Sequence, residues 1–158
     1  EKGLVRGRGL VEDAEKRGAS VLRLGKIDDK ATFDEGWFMQ PTLVTDVPSD
    51  APLMTEEQFC PALPINAYDD LEEAIAMANG TIFGLGGSVW GKDSERALAV
   101  ARRVQSGTVW VNTHGTQAVN RRAPYGGIKQ SGIGRRAGME GMLEYLQVQT
   151  ITSFEPKQ

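Results

Sequence analysis

The chain has 158 residues, 40% of them apolar and 25% charged, with a formal net charge of −3. That balance belongs to an ordinary globular protein, and the length prior gives one domain, able to bury about 70% of the surface its unfolded form exposes. One cysteine, Cys60, excludes an internal disulfide framework and a multi-cysteine zinc site, and one histidine, His114, excludes a multi-histidine metal centre and leaves any Ser/His/Asp triad a single base.

In chain order, Leu4, Leu10, Val11 and Ala14, interleaved with charged residues, predict an amphipathic helix that Gly18 is placed to end. Residues 19–24 then read as a short strand, and the polar stretch 25–36 as a loop. Residues 37–44 are strand-like, but Pro41 cannot donate to a ladder, which points to an edge or a bulge. Residues 63–68 predict a strand. Asp69 or Asp70 can cap the helix that follows, with Leu71, Ala74, Ile75 and Ala78 at core spacing and Asn79-Gly80 as its stop. A second strand covers 85–90. Asp93 or Ser94 caps a second helix with Ala97, Leu98, Ala101 and Val104 inward, and residues 108–112 make a third strand.

Strand, helix, strand, helix, strand with short links predicts an α/β fold of two consecutive βαβ units around a parallel sheet. In such sheets ligands sit beyond the carboxyl ends of the strands. The loops at Asp69, at Gly91-Lys92 and after Asn112 qualify. The last is the most informative, because residues 113–137 show almost no helix or strand pattern, and loops of that length in compact domains are usually functional. A short helix around Met139 to Tyr145 follows. The alternating segment 147–154 predicts a terminal strand that completes the local sheet or pairs with another subunit's edge. The expected organisation is thus a body over 1–146 and a terminal strand and tail over 147–158.

No apolar run approaches the ~20 residues needed to cross a bilayer, so no membrane partner is expected. The start Glu1-Lys2-Gly3-Leu4 has no signal-peptide h-region, which makes the cytoplasm the default compartment, and the lack of an initial Met points to a piece of something longer.

Four constellations carry candidate chemistry. In Thr55-Glu56-Glu57-Gln58-Phe59-Cys60-Pro61, a carboxylate beside an aromatic and a proline can hold a hydroxylated ligand and stack on its ring; a helix end with solvated glutamates satisfies the same pattern. Cys60 has no neighbouring cation, histidine or helix start to lower its pKa, and reads as a small packed side chain rather than a nucleophile. Residues 124–136 are glycine-rich but lack the Gly-Lys-Ser/Thr ending of a nucleotide loop, and read as a tight loop packed on another part of the protein. Residues 113–138 hold Arg121, Arg122, Lys129, Arg135 and Arg136 with no acid among them, a basic patch suited to an anionic ligand. The overall negative charge and the lack of interleaved aromatics argue against nucleic acid. His114 sits just past a strand end, within reach of a substrate.

Taken together, these segments resemble the C-terminal part of the catalytic domain of NAD(P)-dependent aldehyde dehydrogenases. The resemblance rests on Glu57-Gln58-Phe59-Cys60-Pro61, Asn79-Gly80-Thr81-Ile82-Phe83-Gly84-Leu85, Gly107-Thr108-Val109-Trp110-Val111-Asn112 and residues 124–135, in that order, within a match from near Leu10 to about Ser153. It implies chemistry in which a cysteine thiolate attacks the aldehyde, hydride passes to the nicotinamide of NAD or NADP, and water hydrolyses the thioester. By the resemblance, Glu57 binds the nicotinamide ribose, Phe59 packs near the nicotinamide, and Tyr125 lines the substrate tunnel. The loop after Asn112, with His114, forms part of the tunnel mouth. The terminal strand resembles the family's oligomerisation strand and implies a homo-oligomer.

The family's nucleophilic cysteine, general-base glutamate and oxyanion asparagine lie upstream of this segment, and Cys60 occupies a family glycine position. No catalytic residue is therefore expected here, and the chain alone is expected to be inactive. Arg136 stands where the family usually has Glu, which removes the acid of a local ion pair, and the loop from Asn112 to Pro124 is slightly longer than usual. The rival reading is a non-catalytic binding or assembly module built on the same half-fold.

Overall fold

The computed structural model describes residues 1–154, the side chain of Thr116 excepted. The chain divides into two compact units, Glu1–Met77 and the segment from Ala78 onward.

The first unit opens with helix α1, Lys2–Lys16, whose apolar residues recur at helical spacing so that Gly7, Leu10, Val11 and Ala14 are buried along one stripe. Strands β1 (Ser20–Arg23), β2 (Thr42–Thr45) and β3 (Ala62–Ile65) form a sheet in the order β1-β2-β3, with β2 antiparallel to β1 and parallel to β3. The core joins Leu10, Val11 and Ala14 of α1 to Val44 of β2, to Ala62 of β3, and to Ala51 and Leu53 at the short helix α3 (Pro52–Thr55). Val44 and Leu53 are the largest side chains wholly removed from solvent.

Two sequence expectations change here. Residues 25–36 are not all loop: α2, Lys30–Glu35, forms because the Asp29 carboxylate accepts hydrogen bonds from the Thr32 backbone N–H at 3.1 Å and from its hydroxyl at 2.7 Å. The strand expected over 37–44 starts only at Thr42 and is the central strand, not an edge. Pro41 lies just outside the ladder, where its carbonyl accepts from Leu24 N–H at 2.7 Å and its missing donor costs nothing. Pro64, by contrast, sits within β3 at the margin of this sheet, as an absent donor favours.

Helix α4, Leu71–Asn79, starts where expected, with Asp70 accepting from Glu72 N–H at 2.6 Å. Of its expected inward residues only Ile75 is fully buried. The second unit pairs β5 (Gly86–Val89) in parallel with β6 (Thr108–Val111) through α5 (Ser94–Ala101), whose cap is Asp93. This is the second expected βαβ unit. Ala97 and Ala101 face inward, but Leu98 is 46% exposed because one residue turns the helix by about 100°. The first expected βαβ unit does not share one ladder: β3 pairs with β2, β5 with β6, in separate sheets. Side-chain pattern marks a segment as extended, but contacts distant in sequence choose its ladder partner. Strands β4 (Phe83–Gly84) and β7 (Ile128–Lys129) make a third, antiparallel pair.

Asn79 and Asn112 fasten the second unit. Asn79 Nδ2 donates to Arg103 O at 2.9 Å while its Oδ1 accepts from Gln105 N–H at 2.7 Å. Asn112, at positive φ, uses its amide group in the same way on Gly91, at 2.8 and 2.9 Å, and so ties the carboxyl ends of β5 and β6 together. Helix α6, Gly138–Leu143, closes the unit. Residues 147–154, expected as a strand, pair with no strand among the described residues and are exposed throughout; the rest of the expected tail, 155–158, lies outside the described residues.

Leu53→Ala is expected to destabilise the protein by about 2–5 kcal/mol in urea denaturation, whereas Leu22→Ala, at a side chain 57% exposed, is expected to stay within about 0.5 kcal/mol. The Thr32 hydrogen bonds lower the Asp29 pKa below its usual 3.8, so the cap is fully present above that pH and is lost as pH falls through the lower folded value. Amide exchange at Thr32 should therefore accelerate below pH 3.8 in excess of its intrinsic pH dependence, an excess that Asp29→Ala abolishes.

Candidate functional site

One candidate site, within the first unit, is the link between α3 and β3. Glu56 leaves the helix with extended dihedrals, φ −104° and ψ 141°. Along extended backbone, successive side chains point to opposite sides. Gln58 and Cys60 are half-buried, whereas Glu57 and Phe59 are exposed, Phe59 to 90%. Gln58 Nε2 donates to Ala62 O at 3.1 Å and fixes the link to the start of β3. Cys60 packs against the core cluster and against Gly7 of α1, where a Cβ would overlap the Cys60 side chain. The cysteine is therefore a packing residue, half-buried rather than fully so, as its surroundings in sequence imply.

The two adjacent glutamates differ in employment. Glu56 pairs with Arg6 at 3.2 Å, both side chains about half exposed. Glu57 has no hydrogen-bond or ion-pair partner among the described residues, which leaves its carboxylate able to accept from a ligand. Glu57 and Phe59 thus stand on one side of a pinned link, a carboxylate and an apolar ring two residues apart.

A separate candidate site lies within the other unit, beyond the carboxyl end of β6. His114 and Tyr125, separated by ten residues of loop, line one cavity of about 280 Å³ together with Leu85, Trp110 and Val119. The His114 ring stands edge-on to Trp110 with centroids 5.0 Å apart. Trp110 is held in turn by its indole N–H, which donates to Ala118 O at 3.2 Å. Tyr125 is half-buried and exchanges both backbone hydrogen bonds with Arg136, at 2.7 and 2.8 Å. The Arg136 guanidinium lies 4.9 Å above the Tyr125 ring. A cation–π contact thus occupies the position where the resemblance removes the acid of an ion pair.

The glycine-rich segment does pack tightly on its surroundings: a Cβ at Gly107, just before β6, would collide with the Gly126 carbonyl. Sequence reasoning did not mark Trp110 as a cavity residue, although the two-residue repeat of β6 separates it from Val109 and Val111 and could have done so. Nor did it find the Arg136–Tyr125 contact, which joins residues eleven apart across a loop. Among the described residues no group of three His, Cys, Asp or Glu side chains could hold a metal ion, and no helix is long and apolar enough to cross a membrane.

Comparison with known proteins identifies the family. The model of the aldehyde dehydrogenase family matches residues 1–151. Betaine aldehyde dehydrogenase of Bacillus subtilis is 39% identical over 141 residues, covering 89% of this chain and 28% of that protein. The NADP(+) succinate-semialdehyde dehydrogenase of Deinococcus radiodurans is 38% identical over 148 residues, covering 94% of this chain and 30% of its own length. Among solved structures, a point variant of Staphylococcus aureus betaine aldehyde dehydrogenase in complex with NAD+ gives a TM-score of 0.87 at 35% identity, covering 99% of this chain and 32% of that one. Aldehyde dehydrogenase C of Pseudomonas syringae, as a variant with NAD+ and octanal, gives 0.84 at 35% identity, covering 100% and 32%. The chain spans less than a third of the length of each of these relatives. With a matching mixed α/β fold and nearly its whole length inside the family model, the chain belongs to the aldehyde dehydrogenase family.

Proposed function

We propose that this chain is the C-terminal part of the catalytic domain of an NAD(P)-dependent oxidoreductase, one that converts an aldehyde and water to a carboxylic acid. The observation that carries the reading is the outward pair Glu57 and Phe59 on a link pinned by Gln58 and Cys60. These residues fit a nicotinamide nucleotide. A carboxylate without a protein partner can accept hydrogen bonds from both hydroxyls of a ribose, and an exposed apolar ring can lie against a flat heteroaromatic one. When bound, the nicotinamide supplies the hydride acceptor.

In this reading Glu57 holds the ribose, and Phe59 limits the positions open to the ring beside it. His114 and Tyr125 form a wall against which the aldehyde's body rests, with Tyr125 steadied by Arg136. The reacting thiol belongs to another part of the protein, since Cys60 is taken up in packing against Gly7. Residues 147–154, with Val148, Ile151 and Phe154 exposed, serve as an edge strand for a second subunit, and the assembled enzyme works in the cytoplasm without nucleic-acid or membrane partners.

In the complete enzyme, Glu57→Gln is expected to raise the KM for NAD(P) and to slow hydride transfer by about ten- to hundredfold, the loss that accompanies a charge-assisted hydrogen bond. Steady-state kinetics with unchanged turnover and cofactor KM would remove Glu57 from the site. The 158-residue chain alone is expected to yield no aldehyde-dependent NADH or NADPH at 340 nm (on the order of assay background), because it brings no thiol to the carbonyl. Reduced cofactor formed by the purified chain would overturn that assignment.

A further inference from the structure

We propose that Arg121 and Arg122 select aldehydes that carry a terminal anion, a carboxylate or a phosphate, at the end remote from the carbonyl. This rests on the aldehyde dehydrogenase reading above and adds a substrate class to it.

Five cations and no acid lie between residues 113 and 137. Three of them are consumed within the fold. Lys129 Nζ donates to the carbonyls of Asn79 and Thr81 at 2.8 and 3.0 Å. Arg135 Nη1 donates to the carbonyls of Gly127 and Gly134 at 2.9 and 2.7 Å. Arg136 covers the Tyr125 ring.

Arg121 and Arg122 are employed differently. They occupy the centre of a turn in which Ala123 N–H donates to Asn120 O at 3.0 Å and Arg122 N–H donates to Asn120 Oδ1 at 3.0 Å. The Arg121 carbonyl accepts from Gly138 N–H at 3.3 Å. The backbone is thus held at both positions, while both side chains are exposed and lack hydrogen-bond or ion-pair partners among the described residues.

The turn interrupts the loop that lines the cavity. His114 and Val119 precede it and Tyr125 follows it, and the cavity lining contains no acid. An apolar, aromatic pocket whose lining residues Val119 and Tyr125 flank in the chain two arginines without ion-pair partners among the described residues suits a ligand with an apolar body and an anionic end. Guanidinium presents parallel N–H donors that match carboxylate and phosphate oxygens, and two adjacent positive charges repel an aldehyde ending in a cation.

The test measures kcat/KM of the full-length enzyme, with its nicotinamide cofactor, for length-matched aldehydes ending in a methyl group, a carboxylate or a phosphate monoester. The expected result is a preference for an anionic substrate, with whichever of the two is faster identifying the anion. Replacing Arg121→Gln and Arg122→Gln together should lower the anionic-to-neutral ratio by about tenfold, mainly through KM. Reversal with Arg121→Glu and Arg122→Glu should favour an aldehyde ending in an ammonium group. Equal use of neutral and anionic aldehydes by the unaltered enzyme, or a ratio unmoved by the double substitution, overturns the proposal and leaves the oxidoreductase reading standing. Failure of every aldehyde to reduce the cofactor overturns that reading and this one with it.

Discussion

Along residues 57–60, between α3 and β3, exposed and half-buried side chains alternate, as they do when successive side chains point to opposite sides. The outward pair Glu57 and Phe59 depends on which alternate set turns inward. Gln58 is fastened to Ala62 O and Cys60 fills the space left by Gly7 of α1, so Glu57 and Phe59 have only the outer side. A one-residue slip in this link would bury the carboxylate and expose the cysteine. The packing of α1 on the sheet is therefore what aims the carboxylate, although no atom of α1 belongs to the site.

The second unit solves a different problem, which is to hold a long irregular loop in a defined shape. Regular ladders are scarce there, and side-chain amides and single contacts take their place. Asn112 fastens the ends of β5 and β6 where the loop begins, and the backbone exchange between Tyr125 and Arg136 closes it near its end. Between these points Trp110 reaches out of β6 to Ala118 O and gives His114 an aromatic surface to meet. Trp110, His114 and Tyr125, which line the cavity, are thus each held by at least one specific contact. Arg136 contributes through its position over Tyr125, which a carboxylate in its place would not provide.

The charge pattern of this loop gains meaning only when internal partners are assigned. Five basic residues in sequence make a diffuse patch. In the fold, Lys129 and Arg135 become donors to carbonyl groups and Arg136 becomes a lid on an aromatic ring. What remains is a focused pair, Arg121 and Arg122, at one turn.

The sequence alone determined the elements whose signals are local. Helices α1, α4 and α5 follow from apolar spacing and from caps such as Asp70 and Asp93, strands β1, β3, β5 and β6 from short apolar runs, and the family from motifs that keep their order. Glu57 and Phe59 were singled out in the same way, because a motif is a string, and the fold leaves both exposed. Helix α2 was not, since its stability comes from one cap on a polar segment, and the central place of β2 was hidden behind Pro41. Only the tertiary structure decided which strands share a ladder, that His114 and Tyr125 line one cavity, that Arg136 covers Tyr125, and that residues 147–154 pair with no strand among the described residues. Those outcomes rest on contacts between groups far apart in the chain. A local pattern can state what a residue is suited to touch, but not which of several suitable surfaces the folded chain brings to it.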